Sequence, residues 1–431
     1  MSKKIDNEWF SLDNSAKIYP MMASAGKQYM YRLNYVLTET VDVVILNQAV
    51  NIALERFPSF KVSLKRGLFW CYLDKNDKPF SVENDDGVIL KHFRHFTNRN
   101  KYLFRVMVFE NKISFEFLHM LSDGKGSITF ANSVVYYYLK SLHDEIIPED
   151  KILTSDVPYS GLETEDSFIK NRAENNKKKL NVKEFRGSPA YTVKGKKIKD
   201  PAKMKVVCSK TSVGDVLALS KSYGVSMTVF LTALLLWSIK QATLKNDELK
   251  KDLLCYIPID LRKYYGSETL RNFVLFARVG IRTKTDKYDC FEDFITAVAR
   301  DLKKGSEKES IDEKLNIALR LQNILPYRFL PLQIKYFLFN ISNWFMKTNQ
   351  HTTVLSNLGK IEFPTEMKKY LSHFYVTCNT FSKMPISLGV NSFGNDIYMV
   401  FSQQIEETEI EKCFFDFLTK KGIKITVASN I

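Results

Sequence analysis

The sequence predicts an α+β protein of two lobes, and three observations carry that prediction. At 431 residues the chain is long enough for about three typical domains or two large lobes. Strand patterns followed by helix patterns open both halves. Between the halves lies a polar, strongly basic stretch, so the units are read as 1–169, a connection over 170–205, and 206–431.

In the first lobe, residues 29–37 alternate loosely and are rich in Tyr, Val and Leu, which predicts a strand. Residues 46–57 have helical spacing and stop at Pro58. Two short strand-like runs, 104–109 and 113–119, are separated by Glu110-Asn111-Lys112 and read as a hairpin. After Asp123-Gly124 the pattern turns helical: Ile128, Ala131, Val135, Tyr138 and Leu142 recur at steps of three and four, with Ser127 placed to cap. In the second lobe, 204–208 is strand-like and 212–223 helical behind a capping box of Ser212 and Asp215, closed by Gly224. A second helix starts near Ser226. Further strands are expected at 253–259, 273–281, 386–391 and 397–402, and an amphipathic helix over 407–420. No internal repeat is visible at the residue level.

Composition narrows the class. With 45% hydrophobic and 13% aromatic residues the chain can bury a large core, which excludes disordered, collagenous and low-complexity classes. Six scattered cysteines without a CxxC, and no basic segment leading into an apolar core within residues 1–25, point to a reducing cytoplasm and to no metal site. The longest apolar run, 227–239, is shorter than the roughly 20 residues a bilayer span needs and is broken by Thr228, Thr232 and Ser238, so no transmembrane helix is expected. Of the net charge of +15, most sits in 170–205, where 13 Lys and Arg face three acidic residues. That stretch fits a solvated linker or a surface that meets phosphates. Nucleic acid is not expected, because no aromatic interleaving and no zinc, helix-turn-helix or RNA-recognition pattern accompanies the charge.

Chemistry concentrates in Phe117-Leu-His119-Met-Leu-Ser-Asp123-Gly124-Lys-Gly-Ser127. Side chains alternate along a strand, so Ile113, Phe115, Phe117 and His119 share one face and His119 ends it. An imidazole there is partly desolvated, which disfavours its charged form and keeps it neutral, as a general base must be. Ser122-Asp123-Gly124 is a turn signal that swings Asp123 back beneath the loop, where a buried carboxylate needs a cationic partner. Taken alone, the same residues could be a hydrogen-bonded histidine closing a core strand and an aspartate bonding its own turn.

The motif resembles the HxxxDG signature of the CoA-dependent acyltransferase superfamily that includes chloramphenicol acetyltransferase, carnitine acyltransferases, alcohol acetyltransferases and condensation domains of nonribosomal peptide synthetases. The flanks agree: an Arg-containing strand at Phe104-Arg105-Val106, a hairpin, then Gly-x-Ser and a helix. The resemblance extends through Trp9-Phe-Ser-Leu-Asp13-Asn-Ser-Ala-Lys-Ile-Tyr-Pro20, Pro258-Ile-Asp-Leu-Arg262, Arg271-Asn272-Phe273 and Leu355-Ser356-Asn357-Leu-Gly359, which look like alcohol acetyltransferase-like proteins in order and rough spacing. Leu118 stands where condensation domains carry a second His, and the DFGWG motif of plant acyltransferases does not occur. Both departures favour the alcohol acetyltransferase-like branch.

The resemblance implies two chloramphenicol-acetyltransferase-like lobes, each a mixed sheet packed with helices, with a tunnel between them that reaches His119 from both faces. It implies acyl transfer from a CoA thioester, with acetyl-CoA the expected cosubstrate and no bound cofactor, to a small hydroxyl or amine acceptor. His119 would act as base, Asp123 and Gly124 would support the site with Arg262 as the candidate partner of Asp123, and Ser356 or Asn357 would contact the oxyanion or substrate. Three alternatives stay open: a stand-alone condensation enzyme that uses an acyl carrier protein, a noncatalytic binding module on the same fold, and, for Ser356 and Asn357, a plain polar turn. His92, His95, His143, His351 and His373 lack an Asp four residues later and read as surface or core residues. The apolar run 325–345 reads as core or tunnel wall, which would make acyl chain or acceptor hydrophobic, or as a surface for a membrane or lipid-like substrate.

Overall fold

A computed structural model describes residues 9–24, 28–92, 101–172, 188–199, 204–244, 248–322, 328–345 and 350–430. Much of the basic connection, 173–187 and 200–203, lies outside the described residues, as do His95 and residues 325–327 of the apolar run.

Among the described residues, two large sheets organise the chain. The first has five strands in the order Leu371–Cys378, Met30–Leu37, Lys112–Leu118, Phe104–Phe109 and Glu83–Asn84, antiparallel except for the last pair. The second has seven, in the order Val274–Ile281, Leu253–Asp260, Thr353–Lys360, Ile386–Phe393, Asp396–Gln403, Lys205–Ser212 and Thr426–Ser429. Thr353–Lys360 runs parallel to both neighbours and the other pairs are antiparallel, so the sheet is mixed. A small third sheet pairs Cys71–Lys75 with Trp9–Ser11 and with Val62–Arg66. The chain is thus α+β with two sheet-rich, helix-packed lobes.

Helices close each lobe over its own apolar core. Val43–Arg56 and Gly124–Lys140 pack together in the first, where Phe57, Phe60, Phe104, Phe117 and Phe130 form one aromatic cluster. Met227–Leu244, Phe291–Ser306 and Glu409–Lys420 do the same in the second. Met227–Leu244 is long and apolar enough to span a bilayer by length and composition alone. In this fold Phe230, Leu231, Leu234 and Leu235 are wholly buried in the lobe, each contributing about 1.5–3 kcal/mol of burial.

The first sheet draws on both halves of the sequence, because Leu371–Cys378 pairs antiparallel with Met30–Leu37. Asn391, on the second sheet, ties this strand back: its amide donates to the Phe374 carbonyl at 2.8 Å and its oxygen accepts from the Val376 N–H at 3.2 Å. The backbones approach so closely that a Cβ on Gly389 would lie 2.7 Å from the Val376 carbonyl oxygen. Only glycine fits there.

Two local expectations need correction. The helix after the histidine starts at Gly124 and is capped by Asp123, whose carboxylate accepts from the Gly126 N–H at 3.2 Å, and the Ser127 hydroxyl instead bonds Tyr31. Ser356 and Asn357 lie inside the strand Thr353–Lys360, not in a turn between strands. Their alternation of polar and apolar residues is cut short by Gly359, which hides the strand in the sequence.

Candidate active site

His119 follows the last residue of Lys112–Leu118, and its N–H donates to the Tyr29 carbonyl at 2.9 Å, which extends the ladder by one residue. Tyr31 lies on the neighbouring strand, its ring 4.6 Å from the imidazole; Tyr19 stacks at 5.6 Å with an interplanar angle of 23°. The residue is half-buried, yet Nδ1 is buried and makes no hydrogen bond. Burial among these rings pushes the imidazole pKa down to about 4, with the Asn272 side chain the one neighbour that favours the charged form. The ring is therefore neutral at physiological pH.

Below it, Asp123 is fully engaged. Oδ1 accepts from Arg262 Nη2 at 2.9 Å and from the Gly126 N–H, and Oδ2 accepts from the Phe273 N–H at 2.9 Å. Arg262, also buried, donates to the Thr269 and Arg271 carbonyls at 2.8 and 2.7 Å and to Asp260 at 2.9 Å. Removing either member of such a pair strands a buried charge, typically at a cost of about 3–5 kcal/mol. The turn that carries His119 is locked to the second lobe.

The lock has a second strand of bonds that sequence reading did not assign. The Asn272 amide donates to the His119 carbonyl at 2.9 Å and to Asp13 Oδ2 at 3.1 Å, while Asp13 Oδ1 accepts from the Ala16 N–H at 2.7 Å. Arg271 Nε lies 3.8 Å from Asp13. Burial still outweighs that cation and lifts the Asp13 carboxyl to about 6. Asp13 and Asn272 both lie in segments that carry the family resemblance, but nothing in their spacing shows that they meet.

The glycines divide the work. A methyl on Gly126 would overlap the Leu270 carbonyl oxygen and Ser122 Oγ, whereas one on Gly124 would meet only the tip of the Leu358 side chain, at 3.1 Å. Ser122 donates to the Leu270 carbonyl at 2.5 Å, and its own carbonyl accepts from the Tyr31 hydroxyl at 3.1 Å. Gly126, not Gly124, sets how closely the lobes approach.

Thus the structure brings His119, Asp123, Gly124 and Arg262 together around the segment 269–273. Ser356 and Asn357 lie on the strand whose Leu358 reaches Gly124. Asn357 donates to the Thr228 hydroxyl at 3.0 Å and accepts from the Gly359 N–H at 2.9 Å; Ser356 is half-buried beside the Cys378 thiol. A second aromatic wall follows. Tyr29 packs on Tyr19 at 5.6 Å and on Phe381 at 4.5 Å, and His351 stacks on Tyr256 at 4.1 Å. Burial holds His351 near 4 as well. Among the described residues no group of His, Cys, Asp and Glu could hold a metal.

No protein-family model matches the sequence, and no curated relative is detected. Solved structures do match over nearly the whole chain. Polyketide synthase associated protein 5 from Mycobacterium tuberculosis is 14% identical, with 95% of this chain and 96% of that one covered and a TM-score of 0.58. Trichothecene 15-O-acetyltransferase from Fusarium sporotrichioides is 10% identical, with 95% and 93% covered and a TM-score of 0.60. The starter condensation domain of rhizomide synthetase, solved with C8-CoA, is 10% identical, with 96% and 94% covered and a TM-score of 0.57. The fold is the two-lobed one of these acetyltransferase and condensation-domain structures. It also carries an epimerization domain of tyrocidine synthetase, at 12% identity and a TM-score of 0.56, so the fold alone does not choose the reaction.

Proposed function

We propose that this protein is an acyltransferase that moves an acyl group from a CoA thioester, acetyl-CoA first among the candidates, to a hydroxyl or amine of a small acceptor. The observation that carries the reading is the His119 imidazole: neutral, walled by tyrosines, and pinned at its carbonyl by Asn272. The imidazole takes the acceptor's proton as its oxygen or nitrogen attacks the thioester carbonyl. The tetrahedral adduct then expels the thiolate, which recovers that proton from the imidazolium, so atoms and charge balance without an acyl-enzyme. A pKa near 4 trades basicity for neutrality, and the negative charge that develops on the adduct favours the imidazolium when it is needed. Asp123 and Arg262 hold the turn and do not touch the reacting atoms. Ser356 and the remaining amide hydrogen of Asn357 are candidate oxyanion donors, a contribution typically of about 3 kcal/mol.

The acetyltransferase among the structural matches and the acyl-CoA complex of another support a CoA donor. The condensation domains among them support a second reading, a stand-alone condensation enzyme that takes its acyl group from a carrier protein. Thiol release measured over a panel of acyl-CoAs and alcohols or amines, with wild type and His119→Ala side by side, tests the first. Turnover confined to carrier-bound donors would select the second. If wild type and variant are equally silent with both donor types while a partner protein binds tightly, the fold serves binding alone.

A further inference from the structure

The helix Leu332–Phe345 turns an apolar stripe toward water. Leu332 and Lys335 are buried against the first lobe, whereas Ile334, Phe337, Leu338 and Ile341 are exposed, Phe337 by 64%. Their spacing of i, i+3, i+4 and i+7 is that of a face which normally covers a core. Beside it stands the turn between the strands Val62–Arg66 and Cys71–Lys75. The Leu332 N–H donates to the Leu68 carbonyl at 2.8 Å, the Lys335 ammonium donates to the Phe69 carbonyl at 2.8 Å, and the same ammonium sits 3.7 Å over the Trp70 ring. Leu68, 67% exposed, tips this turn, and Phe69 packs on the exposed Phe329. Two distant stretches of sequence therefore build one hydrocarbon surface.

The chain that carries this helix is basic, and Lys17 sits 5.6 Å from the Trp70 ring. Residues 314–361 contain no Asp or Glu, a run of 48, but include Lys314, Arg320, Arg328, Lys335, Lys347 and Lys360. Arg66 and Arg328 are exposed at the edge of the patch. The four stripe residues carry no polar side-chain atom that could recognise a folded partner directionally, while half-buried Trp70, beneath the Lys335 ammonium, and Tyr336, bonded to the Cys71 thiol at 3.3 Å, add amphipathic rings of the kind enriched at bilayer interfaces. We infer that this face docks on an anionic lipid surface. The stripe and the Leu68–Phe69 turn enter the acyl boundary, and Arg66 and Arg328 meet headgroup phosphates.

The docking helix packs against Tyr19–Ser24, and Tyr19 stacks on His119. On the reading of His119 as base, on which this step alone rests, a bilayer-dissolved acceptor would enter one helix away from the imidazole.

Cosedimentation with phosphatidylcholine vesicles, with and without phosphatidylglycerol, tests the docking without reference to turnover. Wild type is expected to bind the anionic vesicles and to release with rising salt. The double variant Phe337→Ser/Ile341→Ser, unchanged in charge, should bind them at least about tenfold more weakly while melting like wild type, since both side chains are exposed. Arg66→Gln/Arg328→Gln should lose the preference for phosphatidylglycerol. Absence of wild-type binding at low salt overturns the inference, as does an apolar variant that binds like wild type, which would reduce binding to net charge. A dimer in light scattering that Phe337→Ser/Ile341→Ser dissolves would assign the face to a second copy and overturn it too.

Discussion

Replacing Asp13 by Asn is expected to stabilise the protein progressively as the pH rises. Asp13 is 1% exposed, and burial lifts its carboxyl from 3.8 to about 6 despite Arg271, Asn272 and the Ala16 N–H. Between those values the native chain holds a proton that the unfolded chain has released. The stability contributed by that proton is full at low pH and is lost as pH climbs through 6. A shift of about two units at 1.36 kcal/mol each comes to about 3 kcal/mol. Asn has no such proton, so the advantage of Asp13→Asn over wild type should grow by about 2 kcal/mol from pH 4 to pH 7, the rest of the change falling below pH 4. Any change in the bonds to Ala16 and Asn272 adds an offset that does not vary with pH. Urea unfolding followed by tryptophan fluorescence at pH 4, 5, 6 and 7 measures the difference. A difference flat to within about 0.5 kcal/mol would refute the argument that burial dominates. A difference of opposite slope would mean that Arg271, 3.8 Å away, outweighs burial and that Asp13 folds as a carboxylate.

His119 works in the other direction: between about 4 and 6.5 the unfolded chain binds a proton that the native chain refuses, so its contribution to stability rises with pH. His351, held near 4 as well, acts in the same direction, so the test of His119 is a difference: the stability of wild type relative to His119→Ala should rise from pH 4 to pH 6.5. The same variant should lose roughly 10²–10⁴-fold in thiol release, and the acid limb of wild-type kcat/KM should lie near pH 4, not 6.5. Asn272→Ala should lower kcat about tenfold or more, by releasing the His119 carbonyl, with little change in KM; an unchanged kcat would remove Asn272 from the positioning role. Gly126→Ala should cost more than about 3 kcal/mol in urea unfolding and Gly124→Ala less than about 1, since backbone cannot yield where a leucine tip can.

Legibility in the sequence followed the range of each signal. Strands with strong alternation and helices with a clear period, such as Lys112–Leu118 and Gly124–Lys140, were readable because their burial pattern repeats within a few residues. Val62–Arg66 and Cys71–Lys75 were not, because each is five residues long and mixes charge with apolar residues. Leu371–Cys378 was hidden for another reason: it pairs with Met30–Leu37, more than 300 residues away, and no local pattern names a partner. The same holds for the site. The spacing of His119 and Asp123 is local and visible, whereas the contact of Asp13 with Asn272 joins the first strand's loop to the far lobe. The outward stripe of Leu332–Phe345 shows the converse failure. Its periodicity was legible as apolar, but which side a helix buries is decided by what packs beside it.

The site also explains why the lobes cannot be treated as separable units. His119 and Asp123 come from the first lobe, but Asn272 holds the carbonyl of one, and Arg262 with the Phe273 N–H holds the carboxylate of the other. Taking Leu371–Cys378 away from the first sheet would leave Met30–Leu37, which carries Tyr31, as an open edge. A movement that opened the lobes would therefore break charge-assisted bonds worth about 1.5–3 kcal/mol each and leave the buried Asp123 carboxylate without its cation, while Arg262 would keep Asp260. Rotating a tyrosine ring costs far less. Tyr19, which stacks on the imidazole, and Tyr29, which packs on Tyr19, are the parts of the site that can yield to a substrate while the lobes stay locked.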